Sequence, residues 1–268
     1  MTARSLLFVP GNRPDRFEKA CNSDADLVCI DLEDAVGPAD KDRARDLTLE
    51  FLAGTASGHV GLRINPADSP FYEADIKALK NSRLNLPFIM LPKVGNLDEV
   101  NAVDRALPDG PGPFFTLIES AKGLVNCEDI LSHPRITCAL YGAIDYAGDV
   151  GCDGEWETHL YARSRMVAAC VANNVLMFDV PYLDVRDPDG CEAATRRSKS
   201  LGIFARAAIH PGQIAPIHKA LAPSEGDIAH ARRVMAAFEQ STGNVALLDG
   251  RLLEAPIVKA AQRILSQT

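Results

Sequence analysis

Phe114-Phe115-Thr116-Leu117-Ile118-Glu119, followed by Ile136-Thr137-Cys138-Ala139-Leu140-Tyr141-Gly142-Ala143-Ile144-Asp145, decides the fold. Each stretch is an apolar run that ends in a carboxylate. Apolar runs bounded by turn signals read as buried strands. Six more of the same kind lie at 5–10, 27–34, 60–65, 88–93, 176–179 and 205–210. Helical patterns fit between them at 13–21, 39–52, 71–80, 97–106, 124–131, 158–173 and 191–201. A repeated strand–helix order predicts a parallel sheet, and eight repeats predict an α/β TIM (β/α)8 barrel with its chemistry at the C-terminal ends of the strands. The chain has 268 residues, close to the roughly 250 that such a barrel needs.

The barrel is expected over residues 1–222. After the eighth strand come helical patterns at 213–221, 225–242 and 254–266, with Ser224 placed to N-cap the second. Leu247-Leu248-Asp249-Gly250 reads as a turn between the last two. A barrel needs one helix there. Residues 223–268 are therefore expected to be extra C-terminal helices, serving as a lid or a subunit contact.

A hydrophobic fraction of 47% with 24% charged residues suits a soluble globular enzyme. The net charge of −8 argues against a nucleic-acid partner, which would need clustered Lys and Arg. An anionic substrate would instead need a local cationic pocket. The seven cysteines are scattered and contain no CxxC pair, so neither a zinc ribbon nor a disulfide framework is indicated. No apolar stretch approaches the roughly 20 residues of a membrane span, and no signal-peptide pattern precedes Arg4. The expected location is the cytoplasm, with no membrane partner.

The strand ends carry the candidate chemistry. Glu119 and Asp145 would lie on neighbouring strands and could converge on one ion; an oxygen donor set completed by water and substrate suits Mg²⁺. The alternative is that each pairs with an arginine. Arg63 shares a face with Asn65, and its guanidinium can grip a carboxylate by two hydrogen bonds or neutralise Glu119. Lys93 can hold an anion as a point charge or form a structural ion pair. Asp31, Glu33 and Asp34 crowd one strand end and cannot all stay bare. His210 reads as structural. Gly11 opens the first loop, where backbone N–H groups with Arg13 and Arg16 could meet a phosphate. Gly142, Gly148, Gly151 and Gly154 suggest a Gly-rich loop after the sixth strand. Neither a dinucleotide fingerprint nor a P-loop nor a nucleophile elbow is present.

Eight segments, taken in order, carry a resemblance: RSLLFVPG at 4–11, DLEDAV at 31–36, LRIN at 62–65, LPKV at 91–94, LIES at 117–120, YGAIDYAGDVG at 141–151, AIHPGQI at 208–214 and LDGRLLEAP at 248–256. Together they resemble the citrate lyase beta subunit-like family of citryl-CoA and malyl-CoA lyases, within the HpcH/HpaI aldolase superfamily. The resemblance implies a Mg²⁺-dependent barrel that cleaves a carboxylated 3-hydroxyacyl-CoA into a keto acid and an acyl-CoA. It implies that Glu119 and Asp145 are metal ligands, that Glu33 and Asp34 bind metal waters and that Arg63 holds the keto acid. It also implies that Arg4, Pro10, Gly11 and Lys93 line the CoA entrance. A homotrimer or a multiple of it, and possible citrate lyase complex subunits as partners, follow in the same way. Two positions depart from the family pattern. Glu254 stands where an Asp is often offered to a neighbouring subunit as acid/base, and Arg206 stands where a Lys is common. Thioester hydrolysis, a CoA-independent pyruvate aldolase and a subunit active only within a complex are the alternatives that the resemblance leaves open.

Overall fold

The computed structural model describes residues 3–55, 58–108, 110, 112–241 and 247–265. Eight parallel strands close into a ring: β1 (Ser5–Pro10), β2 (Leu27–Asp31), β3 (Val60–Arg63), β4 (Ile89–Leu91), β5 (Phe114–Ile118), β6 (Ile136–Tyr141), β7 (Leu176–Asp179) and β8 (Ala205–Ala208). Each pairs with its neighbour in sequence, and β1 also pairs with β8, which closes the barrel. The TIM-barrel expectation holds.

Alternate residues of each strand fill the interior. Leu6, Cys29, Phe88, Met90, Phe115, Leu117, Leu140, Phe178 and Ala207 belong to one buried cluster. The Phe88 and Phe115 rings stack with centroids 4.1 Å apart. Gly61 makes this stack possible, because a Cβ there would come within 2.7 Å of the Phe88 ring. Burying one such side chain is worth roughly 1.5–3 kcal/mol. The same alternation carried one step further puts Asp31 beyond Cys29, Arg63 beyond Gly61 and Glu119 beyond Leu117. The polar rim at the C-terminal mouth is a continuation of the apolar interior.

Strands are shorter than the apolar runs. β2 stops at Asp31 because the Asp31 carboxylate accepts from the backbone N–H groups of Glu33 (2.8 Å) and Ala35 (3.0 Å), which turns the chain. One larger correction concerns β6. It ends at Tyr141, and Ala143–Val150 is a helix, not a Gly-rich loop. Gly142 precedes that helix, and Gly151 ends it in the left-handed region at φ 74. Asp145 therefore stands in a first helical turn and not at a strand end.

Outside the ring stand helices Phe17–Cys21, Lys41–Gly54, Tyr72–Ser82, Leu97–Ala106, Ala121–Val125, Cys127–Leu131, Leu160–Ala172, Pro188–Ser200 and Ile214–Leu221. Lys41 is buried and donates to the carbonyls of Leu32 and Glu33 and to Asn65, each at 2.7 Å, which fixes the loop after β2. Asp179, at the end of β7, faces outward. It accepts from Arg163 at 2.9 Å, Arg206 at 2.8 Å and Ser198 at 2.5 Å.

Residues Met1–Ala220 and Leu221–Thr268 form two compact units. The second contains helices Glu225–Gln240 and Ala255–Leu265, joined through the two-stranded hairpin β9 (Leu247–Leu248) and β10 (Arg251–Leu252). Ala231, Val234, Leu253, Val258 and Ala261 form its core. Ser224 accepts from the Asp227 N–H as N-cap. Asp249 (φ 51) and Gly250 (φ 75) form the two-residue turn, and Asp249 pairs with Arg233 at 2.6 Å. Residues 242 and 266, which closed the two helices expected from sequence, lie outside the described residues. Among the described residues no helix is long and apolar enough to cross a membrane. Among the described residues no cysteine forms a disulfide.

Candidate active site

Arg63 ends β3 at the C-terminal mouth. Its Nε and Nη2 donate to the two carboxylate oxygens of Asp31 at 2.7 and 2.5 Å. Its Nη1 lies 2.8 Å from Glu33 Oε2. The guanidinium also rests 5.0 Å above the Phe8 ring centroid. The sequence left open whether Arg63 neutralises Glu119; its ion pairs go instead to Asp31 and Glu33. Burial alone would raise the Asp31 carboxyl, but the Arg63 charge and the N–H groups of Glu33 and Ala35 hold it below the usual carboxylate range.

Glu119 follows β5 and is buried, at 4% exposure. Its Oε1 accepts the Lys93 backbone N–H at 2.7 Å. Gly142 lies against it: a Cβ at 142 would come within 2.4 Å of Glu119 Cβ and 2.5 Å of Oε2. Burial first, then the negative charges of Glu33 and Asp145, push the Glu119 carboxyl up to about 8, against the opposing pull of Arg63 and the Lys93 N–H. Glu33 is also raised, by burial and by Asp34, although Arg63 and Lys93 hold it down. Lys93 Nζ bridges Glu33 at 2.7 Å and Asp34 at 3.2 Å. Asp145 is exposed in the first turn of helix Ala143–Val150. Asp149 of that helix accepts the Ala121 N–H at 2.7 Å, which ties it to the helix that starts after Glu119 and Ser120.

The mouth thus carries a surplus of carboxylate. Asp31, Glu33, Asp34, Glu119 and Asp145 face Arg63 and Lys93. A divalent cation beside Glu119 and Asp145 would offset the repulsion that raises Glu119, and an all-oxygen donor set suits Mg²⁺. Among the described residues no group of three or more His, Cys, Asp or Glu closes on one point. The remaining coordination positions would therefore fall to water and substrate, as is usual for Mg²⁺. The residues present fit such an ion.

The structure gathers Arg63, Glu119, Glu33, Asp34 and Lys93 at one mouth, with Pro10 and Gly11 at the same end of β1. Arg4 is not brought there. It precedes β1, whose six residues span roughly 20 Å at about 3.3 Å each, and so lies at the opposite end of the barrel. The Gly11 N–H is already donated to the Asp31 carbonyl at 2.8 Å and is not offered to a phosphate. Arg13 pairs with Asp15 on the surface. His210 accepts the Gly212 N–H and caps a short turn. Glu254 is exposed in the second unit, where its carbonyl accepts the first N–H groups of helix Ala255–Leu265. Sequence reasoning missed Gly142 as the residue that leaves room for Glu119; its position directly after a strand was the available signal.

The family described as HpcH/HpaI aldolase/citrate lyase matches residues 4–211. The L-malyl-CoA/beta-methylmalyl-CoA lyase of Cereibacter sphaeroides is 34% identical, covering 98% of this chain and 94% of that protein. The citrate lyase subunit beta of Leuconostoc mesenteroides subsp. cremoris is 33% identical over 98% of this chain and 92% of its own. Among solved structures, CitE from Mycobacterium tuberculosis in complex with magnesium, acetoacetate and coenzyme A superposes with a TM-score of 0.88 at 28% identity, covering 99% of this chain and 98% of that one. A barrel whose mouth gathers the motif residues, and relatives matched along nearly their whole length, lead to one conclusion: the chain belongs to the HpcH/HpaI aldolase/citrate lyase family.

Proposed function

We propose that this protein is a Mg²⁺-dependent carbon–carbon lyase that cleaves a carboxylated 3-hydroxyacyl-CoA of the citryl-CoA or malyl-CoA type into a keto acid and an acyl-CoA. The supporting observation is the placement of Glu119, buried at the mouth with the Lys93 N–H on its Oε1, beside an Arg63 already paired with Asp31 and Glu33. Glu119 and Asp145 would hold the ion, and Glu33 and Asp34 would orient its waters. Bound Mg²⁺ supplies a Lewis acid that stabilises developing alkoxide charge by several kcal/mol.

The chain's own residues then divide the work. A guanidinium carries five N–H donors, of which Asp31 takes two on Arg63, while Glu33 lies 2.8 Å from Nη1 as an ion pair. The remaining ones meet the substrate carboxylate. Because Asp31 and Glu33 fix the fork before substrate arrives, little side-chain entropy is lost on binding. Glu254 of a neighbouring subunit takes the hydroxyl proton. The C–C bond then breaks, its electron pair passing to the acyl-CoA as an enolate, which is protonated to give the acyl-CoA product. The longer reach of Glu compared with Asp at 254 tunes this step, since about 1 Å of misplacement can change a rate about 10²-fold. A homotrimer, or a multiple of it, would deliver Glu254 between subunits. Pro10, Gly11 and Lys93 would lie near the CoA entrance. A reducing cytoplasm suits seven cysteines that form no disulfide among the described residues.

The test is Mg²⁺-dependent release of keto acid from a panel of hydroxyacyl-CoA thioesters by the purified chain. Keto acid from one thioester, lost with EDTA, supports a stand-alone lyase and identifies its substrate. Free CoA without keto acid points to thioester hydrolysis. A chain silent until acyl-carrier and transferase subunits are added is a complex subunit, as the name of the Leuconostoc relative suggests.

A further inference from the structure

Four non-glycine residues among those described adopt the left-handed region: Arg83 (φ 51), Lys93 (φ 53), Asn174 (φ 57) and Asp249 (φ 51). Three have an ordinary local reason. Arg83 is the C-cap of helix Tyr72–Ser82. Asn174 follows helix Leu160–Ala172 where the chain turns back, with Val175 N donating to the Cys170 carbonyl at 2.9 Å. Asp249 forms the hairpin turn with Gly250. Lys93 ends no helix and joins no hairpin; it lies in the loop after β4. An L side chain there is unfavourable, and such strain persists where the surroundings over-determine it.

What the conformation achieves at Lys93 is visible in its partners. The backbone N–H points at Glu119 Oε1 at 2.7 Å, while the side chain leaves in another direction to bridge Glu33 at 2.7 Å and Asp34 at 3.2 Å. We propose that Lys93 is a positioning residue for Glu119, whose left-handed backbone lets its N–H meet Glu119 while its ammonium is directed away to pair with Glu33 and Asp34. This assigns Lys93 a different task from contact with CoA. It rests on the reading of the mouth as a Mg²⁺ site for its consequence, but not for its geometry.

The two functions of Lys93 separate by mutation, because they act on Mg²⁺ with opposite sign. Lys93→Gly removes the ammonium, a cation that competes for the same carboxylates, but accepts positive φ freely. Lys93→Val also removes the ammonium, and its β-branched side chain resists positive φ and turns the N–H away from Glu119. Isothermal titration with Mg²⁺ alone should give Lys93→Gly an affinity equal to or tighter than that of the wild type. Lys93→Val should bind about 10–100-fold more weakly than Lys93→Gly, the usual effect of losing a group that orients a ligand. Equal affinities for the two variants overturn the proposal.

Amide hydrogen exchange in EDTA gives a readout that needs no metal and does not depend on the folding of the valine variant. The Lys93 amide should be protected in the wild type and exchange faster in Glu119→Ala. An unprotected Lys93 amide in the wild type overturns the proposal. A protected amide in a protein that binds no Mg²⁺ keeps the positioning role and overturns the metal-dependent lyase reading.

Discussion

Glu119 and Asp179 look alike in the sequence and behave in opposite ways in the fold. Each is a buried carboxylate at the C-terminal end of an apolar strand, Phe-Phe-Thr-Leu-Ile-Glu in one case and Leu-Met-Phe-Asp in the other. Burial pushes both up, but the neighbours decide the outcome. Two guanidiniums, Arg206 and Arg163, and the Ser198 hydroxyl hold Asp179 below the usual carboxylate range. Glu119 receives one backbone N–H and sits among other carboxylates, so its carboxyl rises to about 8. Parity explains the difference. Glu119 continues the inward set of Phe115 and Leu117, and Asp179 follows inward Phe178 and so faces the helices. The outward carboxylate is satisfied and structural. The inward one lacks a cation of its own, which is the condition for binding one.

Removing each carboxylate should break the comparison in different currencies. Glu119→Ala should abolish lyase activity, by about 10³-fold or more, since several kcal/mol of transition-state stabilisation depends on the ion it would hold. Its thermal midpoint without Mg²⁺ should not fall, because the carboxyl removed is buried at a cost in desolvation, and Mg²⁺ should raise that midpoint in the wild type but not in the variant. A fully active Glu119→Ala enzyme would falsify the metal assignment. Asp179→Asn should do the reverse. It leaves Arg163 and Arg206 buried without a carboxylate and should lose about 3–5 kcal/mol in denaturant unfolding, with activity per folded molecule retained.

A smaller change sharpens the contrast from within the site. Gly142→Ala places a Cβ against Glu119 and should displace its carboxylate. A loss of about 10²-fold in kcat/KM is expected, with about 1–3 kcal/mol of destabilisation from overpacking. Unchanged kinetics in this variant would mean that the position of Glu119 tolerates a shift of that size.

The smallest effect belongs to a carboxylate at the other end of the barrel. Asp26 is raised by burial, but hydrogen bonds from His218 and from the N–H groups of Arg4 and Ser5 outweigh this and lower it to about 2. An unfolded Asp titrates near about 3.9. The stability it contributes is therefore complete above about pH 4 and is lost as the pH falls towards about 2. Asp26→Asn should flatten the stability–pH curve in that window; an unaltered slope would mean that these partners do not hold the charged form.

Much of the fold was legible because a barrel strand is a local pattern. A buried strand must be apolar over several residues, and eight such runs separated by helical periods leave few topologies. The boundaries were less legible. Ala143–Val150 hid behind Gly142, Gly148 and Gly151, because Gly148 lowers the propensity of the helix it sits in, and Gly142 and Gly151, which bracket it, read equally well as loop residues. Within the site, the motif residues Arg63, Glu33, Glu119 and Lys93 were legible as types, but their pairing was not. Nothing in the sequence says that Arg63 grips Asp31 and Glu33 and leaves Glu119 to a main-chain N–H, nor that Lys93 adopts φ 53 to provide it.

The sequence by itself therefore determined the strand order, the barrel and the set of charged groups offered at its mouth, because these follow from hydrophobic period and chain connectivity. Only the tertiary structure decided which way each carboxylate faces, which cation it meets and which glycine makes room for it. Those depend on strand parity at the last residue, on backbone conformation in the loops and on distances of a few ångströms between segments far apart in the chain. Electrostatic energy varies steeply over such distances in a buried site, so the same residue type became a structural anchor at 179 and a candidate ion ligand at 119.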